Sequence, residues 1–278
     1  LLFFLSCAII LIKTKGGPVM PLPLLPAREE EFLLCRELVF GKDFLQHGIG
    51  SLAEKSQHAV LKNYYCPNPS CQEINLGRFV ADISDENGIT EIQTAGFGKM
   101  RAKLDFFLKN YPVRIVYPVP VQKWICWIDP ETGEISSRRR SPKKNAELSL
   151  FRELYSILDL LWPDNLSITL ALLESEEYRL LDGWGADGKR GSNRAEMVPL
   201  RLLGEIPLQK PQDLLLLLPE GLPPTFTSSD MKSVTRLNPR QTSYLILVLN
   251  RLGLIERCGK QGRSYLYRIS SNLQGGSL

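Results

Sequence analysis

The spacing of the apolar residues changes near Glu73, and that change constrains the architecture more than any other feature. Before it, PLPLLPAREEEFLLCRELVFG reads as a proline-rich lead-in to a helix with Glu29, Glu30 and Glu31 in its first turn. GIGSLAEKSQHAVLKNYY is a second helix: Leu52, Ser56, Ala59 and Val60 recur at helical spacing, with Glu54, Lys55 and His58 on or near the remaining face. After it, EINLGRFVADIS and GITEIQT alternate as strands do, and DENG between them is a turn.

The later segments keep switching period. GKMRAKLDFFLKN returns to helical spacing, and VRIVYPV is a short apolar strand closed by Pro118 and Pro120. KWICWID and GEISSRRR form a hairpin around Pro130, Glu131, Thr132 and Gly133. AELSLFRELYSILDLL is an amphipathic helix. LSITLALLESEEYRLL is a buried strand with room for a short helix, and VPLRLLGEIPLQ is a further strand or hairpin. Between the last two, DGWGADGKRGSNR is a loop. This order predicts an α/β fold around a mixed sheet. KPQDLLLLLPEGLPPTFT is a helix running into a proline-rich linker, with a domain boundary near Pro223 and Pro224. Residues 20–222 then form the α/β domain with its extensions, and residues 225–270 a small second domain.

Residues 1–19 stand outside this scheme. Their 12-residue run LLFFLSCAIILI is shorter than the ~20 residues a membrane span needs, so no membrane partner is expected. The segment lacks the basic stretch that precedes the apolar region of a signal peptide. It reads as upstream or truncated sequence, with a clipped signal or anchor as the alternative. The six cysteines are scattered, as in a reduced, cytoplasmic protein. Cys66 and Cys71 lack the second pair that a zinc site requires, so YYCPNPSCQE reads as a turn around Pro67, Asn68 and Pro69.

Charge divides unevenly along the chain. From Thr225 onward there are eight Lys and Arg against two Asp and Glu, a net of +6. The whole chain is only +4, so the remainder is −2. Such asymmetry points to a polyanionic partner for the C-terminal segment. There, SSDMKSVTRL is a short helix and LNP a turn. PRQTSYLILVLNRLG is a longer helix with Pro239 at its start and Gly253 at its stop, and LIERCG and RSYLYRI are strands joined by GKQGR. This succession resembles the winged helix-turn-helix family over some 45 residues. Arg240, Gln241, Thr242 and Ser243 open the second helix, where a recognition helix meets base edges. Lys260, Arg263 and Arg268 on the hairpin are placed to neutralise phosphates. The same fold also serves as a protein–protein wing.

In the α/β segment, Asp82 lies in FVADI, and Glu91 and Gln93 in TEIQT share one face of a strand. With Glu54 on the preceding helix, this pattern resembles the PD-(D/E)xK nuclease superfamily over roughly residues 45–125. The resemblance implies a restriction-endonuclease-like core in which Asp82 and Glu91 bind Mg²⁺, or Mn²⁺ in its place. It implies that Glu54 is a further ligand or orients metal-bound water. Gln93 stands where the family usually carries lysine; Lys99 and Lys103 on the next helix are candidates to supply that charge. His58 shares a helical face with Glu54 and reads as a partly buried structural histidine, with contact to the same site as the alternative. The basic run Arg138, Arg139, Arg140, Lys143 and Lys144 reads as a solvated loop, with a backbone-tracking role as the alternative.

The whole chain also looks like an uncharacterised bacterial protein family. The leading expectation is a Mg²⁺-dependent DNA endonuclease targeted by a winged-helix module, with DNA as partner and a homodimer compatible with these parts. The alternatives are a non-catalytic DNA-binding regulator with a degenerate nuclease-like domain, and an interaction protein that uses both folds as scaffolds.

Overall fold

The computed structural model describes residues 25–41, 56–142, 144–183 and 194–270. Within them the chain is mixed α/β. Strands β1 (Gln72–Leu76), β2 (Phe79–Asp85), β3 (Gly88–Ile92), β4 (Val113–Ile128), β6 (Leu166–Leu180) and β7 (Arg194–Leu208) lie side by side in that order, and β5 (Arg139–Arg140) pairs with β4. The β3–β4 and β4–β6 pairs are parallel and the others antiparallel, so the sheet is mixed.

Two glycines make the first meander possible. EINLGRFVADIS is two strands rather than one, turning at Gly77 and Arg78 so that Leu76 pairs with Phe79. Gly77 has φ +61, and a Cβ there would stand 2.9 Å from the Phe106 ring. Gly88 opens β3 with φ +114, where a Cβ would meet the Pro112 carbonyl oxygen at 2.4 Å. Only a glycine lets β3 start this close to the chain that enters β4.

The parallel pairs need crossovers, and the amphipathic segments supply them. A 3₁₀ turn at Phe97–Met100 and helix α3 (Arg101–Leu108) connect β3 to β4, burying Leu104 and Phe107. Helix α4 (Leu150–Ser156), with short 3₁₀ turns on both sides, lies between β5 and β6. These helices cover one face of the sheet, in a core with Ile89, Val113, Ile115, Ile168 and Leu170. Helices α1 (Glu29–Phe40) and α2 (Ser56–Tyr65) cover the other. Phe32, Val60, Leu61 and Tyr64 meet Ile83, Ile92, Val116, Ala171 and Leu173 there. Adjacent positions such as Val116 and Ile115, or Ala171 and Leu170, therefore feed opposite cores. This explains why LSITLALL is apolar without alternation.

Two strand expectations need correction. Pro118 and Pro120 do not end VRIVYPV, because β4 continues for 16 residues through KWICWI. Val116 offers its carbonyl to Gln93 at the end of β3, and by alternation residues 118 and 120 face that same edge, beyond the last β3–β4 pair. The missing proline N–H groups thus fall where no strand asks for them. LESEEYRL holds no helix and extends β6 to 15 residues, and VPLRLLGEIPL is one strand antiparallel to it. The hairpin around residues 129–133 forms as expected, with Ile128 bridged to Ile135.

After a 3₁₀ segment at Pro211–Leu217 come α5 (Ser228–Thr235), α6 (Pro239–Arg251) and the hairpin β8 (Ile255–Gln261) and β9 (Ser264–Ile269). Both helices start in capping boxes: Thr227 exchanges hydrogen bonds with Asp230, and Asn238 with Gln241. Phe226, Met231, Leu245, Val248 and Leu249 belong to the same buried cluster as Phe151 and Leu154 of α4. On its rim the Tyr155 and Tyr244 rings lie 4.7 Å apart. No helix among the described residues is long and apolar enough to cross a membrane.

Tyr155→Ala and Tyr244→Ala, measured singly and together by urea unfolding, should show a coupling of about 0.5–1.5 kcal/mol. Strictly additive losses would mean that the ring contact does not form in solution.

Candidate active site

The β2–β3 ladder runs from Asp85↔Gly88 to Ile83↔Thr90. Beyond it two side chains replace the ladder. The Asp82 backbone N–H donates to Glu91 Oε1 at 3.2 Å, and the Ile92 backbone N–H donates to Asp82 Oδ2 at 2.8 Å. Asp82 and Glu91 therefore sit together where the two strands part, as their order in the sequence suggested. Just past β3, the Gln93 backbone N–H still donates to the Val116 carbonyl at 2.9 Å, while its side-chain amide donates to the Ala95 carbonyl at 2.5 Å, in the loop that follows.

Two basic side chains close the group. Lys103 Nζ reaches in from α3 to 2.5 Å from Glu91 Oε2. His58 Nε2 lies 3.0 Å from Asp82 Oδ2. Because an ionised carboxylate only accepts, His58 carries its proton on Nε2 in this contact. His58 thus reaches Asp82 from the first turn of α2. Of the two lysines considered, Lys103 joins the site, while Lys99 is exposed at the end of the 3₁₀ turn. Glu54 lies outside the described residues.

The two carboxyls are pushed in opposite directions. Burial works to raise the Asp82 pKa, but the His58 hydrogen bond and charge, the Ile92 amide and the Lys103 charge outweigh it and hold it below the usual value. Burial, then the neighbouring Asp82 charge, push Glu91 up to about 7 against the pull of Lys103. At neutral pH one carboxylate is firmly ionised and the other is poised to gain or lose a proton. Such a pair can bind a hard cation or exchange a proton with a reacting oxygen.

A residue that the sequence did not single out positions the loop beside this pair. Buried Glu153 of α4 accepts hydrogen bonds from the backbone N–H groups of Gly96 and Phe97, at 2.7 and 3.0 Å. It fixes the chain between Glu91 and Lys103. Its only sequence signal was a carboxylate on the apolar side of an amphipathic helix.

The residues expected to face nucleic acid are placed unequally. Gln241 is spent in the Asn238 capping box. Thr242 is buried and donates to the Asn238 carbonyl at 3.0 Å, and Ser243 donates to the Pro239 carbonyl at 3.0 Å. Arg240 donates to the Tyr244 hydroxyl at 2.7 Å. On the hairpin Lys260 and Arg263 are exposed, whereas Arg268 pairs with Glu256 at 2.7 Å. Sequence reading missed Arg257 and Tyr265. The Arg257 guanidinium lies 4.1 Å from the Tyr265 ring centroid and Lys260 Nζ lies 5.3 Å from it, so one exposed aromatic is flanked by two cations.

The chain belongs to a protein family described as Domain of unknown function (DUF8091), which matches residues 55–209. That stretch contains α2, the whole large sheet, His58, Asp82, Glu91 and Lys103, and stops before α5. A protein of Treponema pallidum (strain Nichols), described as an uncharacterized protein, is 29% identical over 222 residues, covering 79% of this chain and 87% of that one. No solved structure matches the chain.

The raised Glu91 pKa has a signed consequence for stability. The folded state holds a proton between pH 4.5 and about 7 that the unfolded chain has released, so stability falls as pH rises through that window. Asp82 acts oppositely, and its contribution is lost as pH falls below the ordinary carboxylate range. Urea unfolding from pH 5 to 7.5 should therefore show a downward slope in wild type that Glu91→Gln flattens, with a difference on the order of 3 kcal/mol at most. Parallel slopes would show that Glu91 titrates normally.

Proposed function

We propose that this protein is a Mg²⁺-dependent DNA endonuclease of the PD-(D/E)xK type, directed to DNA by a C-terminal winged-helix module. The observation that carries the reading is the meeting of Asp82 and Glu91 where β2 and β3 part, with Lys103 on Glu91. Among the described residues no three His, Cys, Asp or Glu side chains form a metal-binding group. Two carboxylates nevertheless fit Mg²⁺, which keeps waters and takes substrate phosphate oxygens to complete its shell. Asp82 and Glu91 would hold it, and a bound Mg²⁺ supplies Lewis acidity toward phosphate and water.

The other roles belong to the side chains. His58 and the Ile92 amide fix Asp82 through Oδ2, which orients Oδ1 as the free donor oxygen. Lys103 supplies the positive charge that Gln93 lacks and offsets negative charge building on the phosphate in the transition state. With its pKa near 7 in the metal-free site, Glu91 would release a proton at neutral pH on taking up Mg²⁺. The helix–helix–hairpin order, the +6 charge from Thr225 onward and the exposed Arg257, Lys260 and Arg263 support DNA as the partner.

A second reading, a DNA-binding protein without cleavage, is favoured by one observation: the Gln93 amide is tied to Ala95 and adds nothing to the carboxylate pair.

Supercoiled plasmid with Mg²⁺ or Mn²⁺ tests both. Wild type should nick it. Asp82→Ala and Glu91→Ala should abolish nicking, and Lys103→Ala should slow it by about 10²-fold or more. Intact DNA binding with no metal-dependent cleavage on any DNA form would select the second reading.

A further inference from the structure

The edge of β4 that β3 vacates is taken up again by a basic strand. β6 occupies one edge of β4 along its length, from Val113↔Leu166 to Ile128↔Leu180. β3, which ends at Ile92↔Val116, and β5, paired at Trp124↔Arg140 and Ile125↔Arg139, must therefore share the other edge. Because β3 and β4 are parallel, the end of β3 that carries Glu91 points along this edge toward β5. From Val116 to Trp124 the span is roughly 20–25 Å, at ~3.3 Å per residue with one bulged position.

β5 is built to hold charge outward. Arg138, Arg139, Arg140 and Lys144 are all exposed. Arg138 anchors the arm: its guanidinium lies 4.5 Å from the Trp124 ring centroid and 3.1 Å from Glu176 Oε1. The Ser141 N–H donates to the Lys123 carbonyl at 2.7 Å and fixes the backbone next to the arginines. Arg139, Arg140 and Lys144 enter no ion pair among the described residues. The Trp124–Arg138 stack thus secures the arm while two neighbouring guanidinium groups stay unpaired on a sheet edge. Consecutive strand residues leave on opposite faces, so the two guanidinium groups flank the sheet edge, where each can reach a phosphate of a duplex lying along it.

We infer that Arg139 and Arg140, with Lys144 beside them, bind the phosphodiester backbone of duplex DNA at a second point along the edge that carries Asp82 and Glu91. At ~3.4 Å per base pair the two points are separated by about seven base pairs. The inference rests on the nuclease reading above. It assigns the basic arm to the substrate strand running away from the carboxylates, apart from the hairpin of β8 and β9.

Salt dependence tests it on the full chain. Binding of a fluorescent duplex of about 25 base pairs is followed by anisotropy across a KCl series without divalent ions. Arg139→Ala/Arg140→Ala should weaken binding on the order of tenfold near ~0.1 M salt and reduce the slope of log K against log salt by about two. Arg139→Lys/Arg140→Lys should restore most of that slope, which a purely structural role would not allow. An unchanged slope in the alanine pair overturns the inference and leaves the nuclease reading standing. So does a lysine pair that behaves like the alanine pair. Wild type that binds no duplex at any salt overturns both.

Discussion

The pairing of β6 on both edges is the constraint on which the rest of the molecule depends. β4 runs beside it in parallel and β7 antiparallel, each over nearly its whole length. A strand satisfied on both edges cannot slip without turning every side chain to the wrong face. Here each face has its own core, with Leu170 on the α3–α4 side and Ala171 on the α1–α2 side. β4 inherits its register from β6, and β3 inherits its own from the first turn of β4. Because β4 is far longer than β3, an edge remains beyond Val116. The chain meets that edge with two prolines, a bulge and the short arginine strand.

The same geometry makes the carboxylate pair. β3 is held to β4 through Ile92 and Val116, while β2 follows β3 only as far as Ile83↔Thr90. Where β2 drifts away, the backbone N–H groups of Asp82 and Ile92 need acceptors, since an unpaired buried donor costs about 1–3 kcal/mol. The carboxylates of Glu91 and Asp82 provide them. Two carboxylates so close, Glu91 buried and Asp82 half-buried, would repel strongly if both were ionised, and helices from opposite faces bring partners: α2 contributes His58 and α3 contributes Lys103. The site is thus a sheet defect stabilised by charge. This explains why one carboxyl ends with a lowered pKa and its neighbour with a raised one.

Much of this was legible before the tertiary structure. The helical and alternating stretches, the turn at DENG and the hairpin at residues 129–133 were readable because each is decided within a few residues. So was the helix–helix–hairpin order at the C-terminus. Asp82 and Glu91 stood out as carboxylates on adjoining strands. His58 and Lys103 were candidates only: His58 is 24 residues from Asp82, and choosing Lys103 over Lys99 depends on how Leu104 and Phe107 of the same helix seat in the core. Where the Gln93 amide is spent depends on how the chain turns after β3, since it donates to the Ala95 carbonyl.

The sequence by itself determined the local elements, their order and the two acidic residues that belong together, because caps, turns and side-chain alternation draw on interactions between near neighbours. Tertiary structure alone decided that Pro118 and Pro120 lie within a strand, since their cost depends on whether another strand occupies that edge. It also decided which basic side chains meet the carboxylates and which arginines remain unpaired. Each of these turns on which distant surfaces are brought within a few ångströms, and only the packed sheet and its two helical layers set those distances.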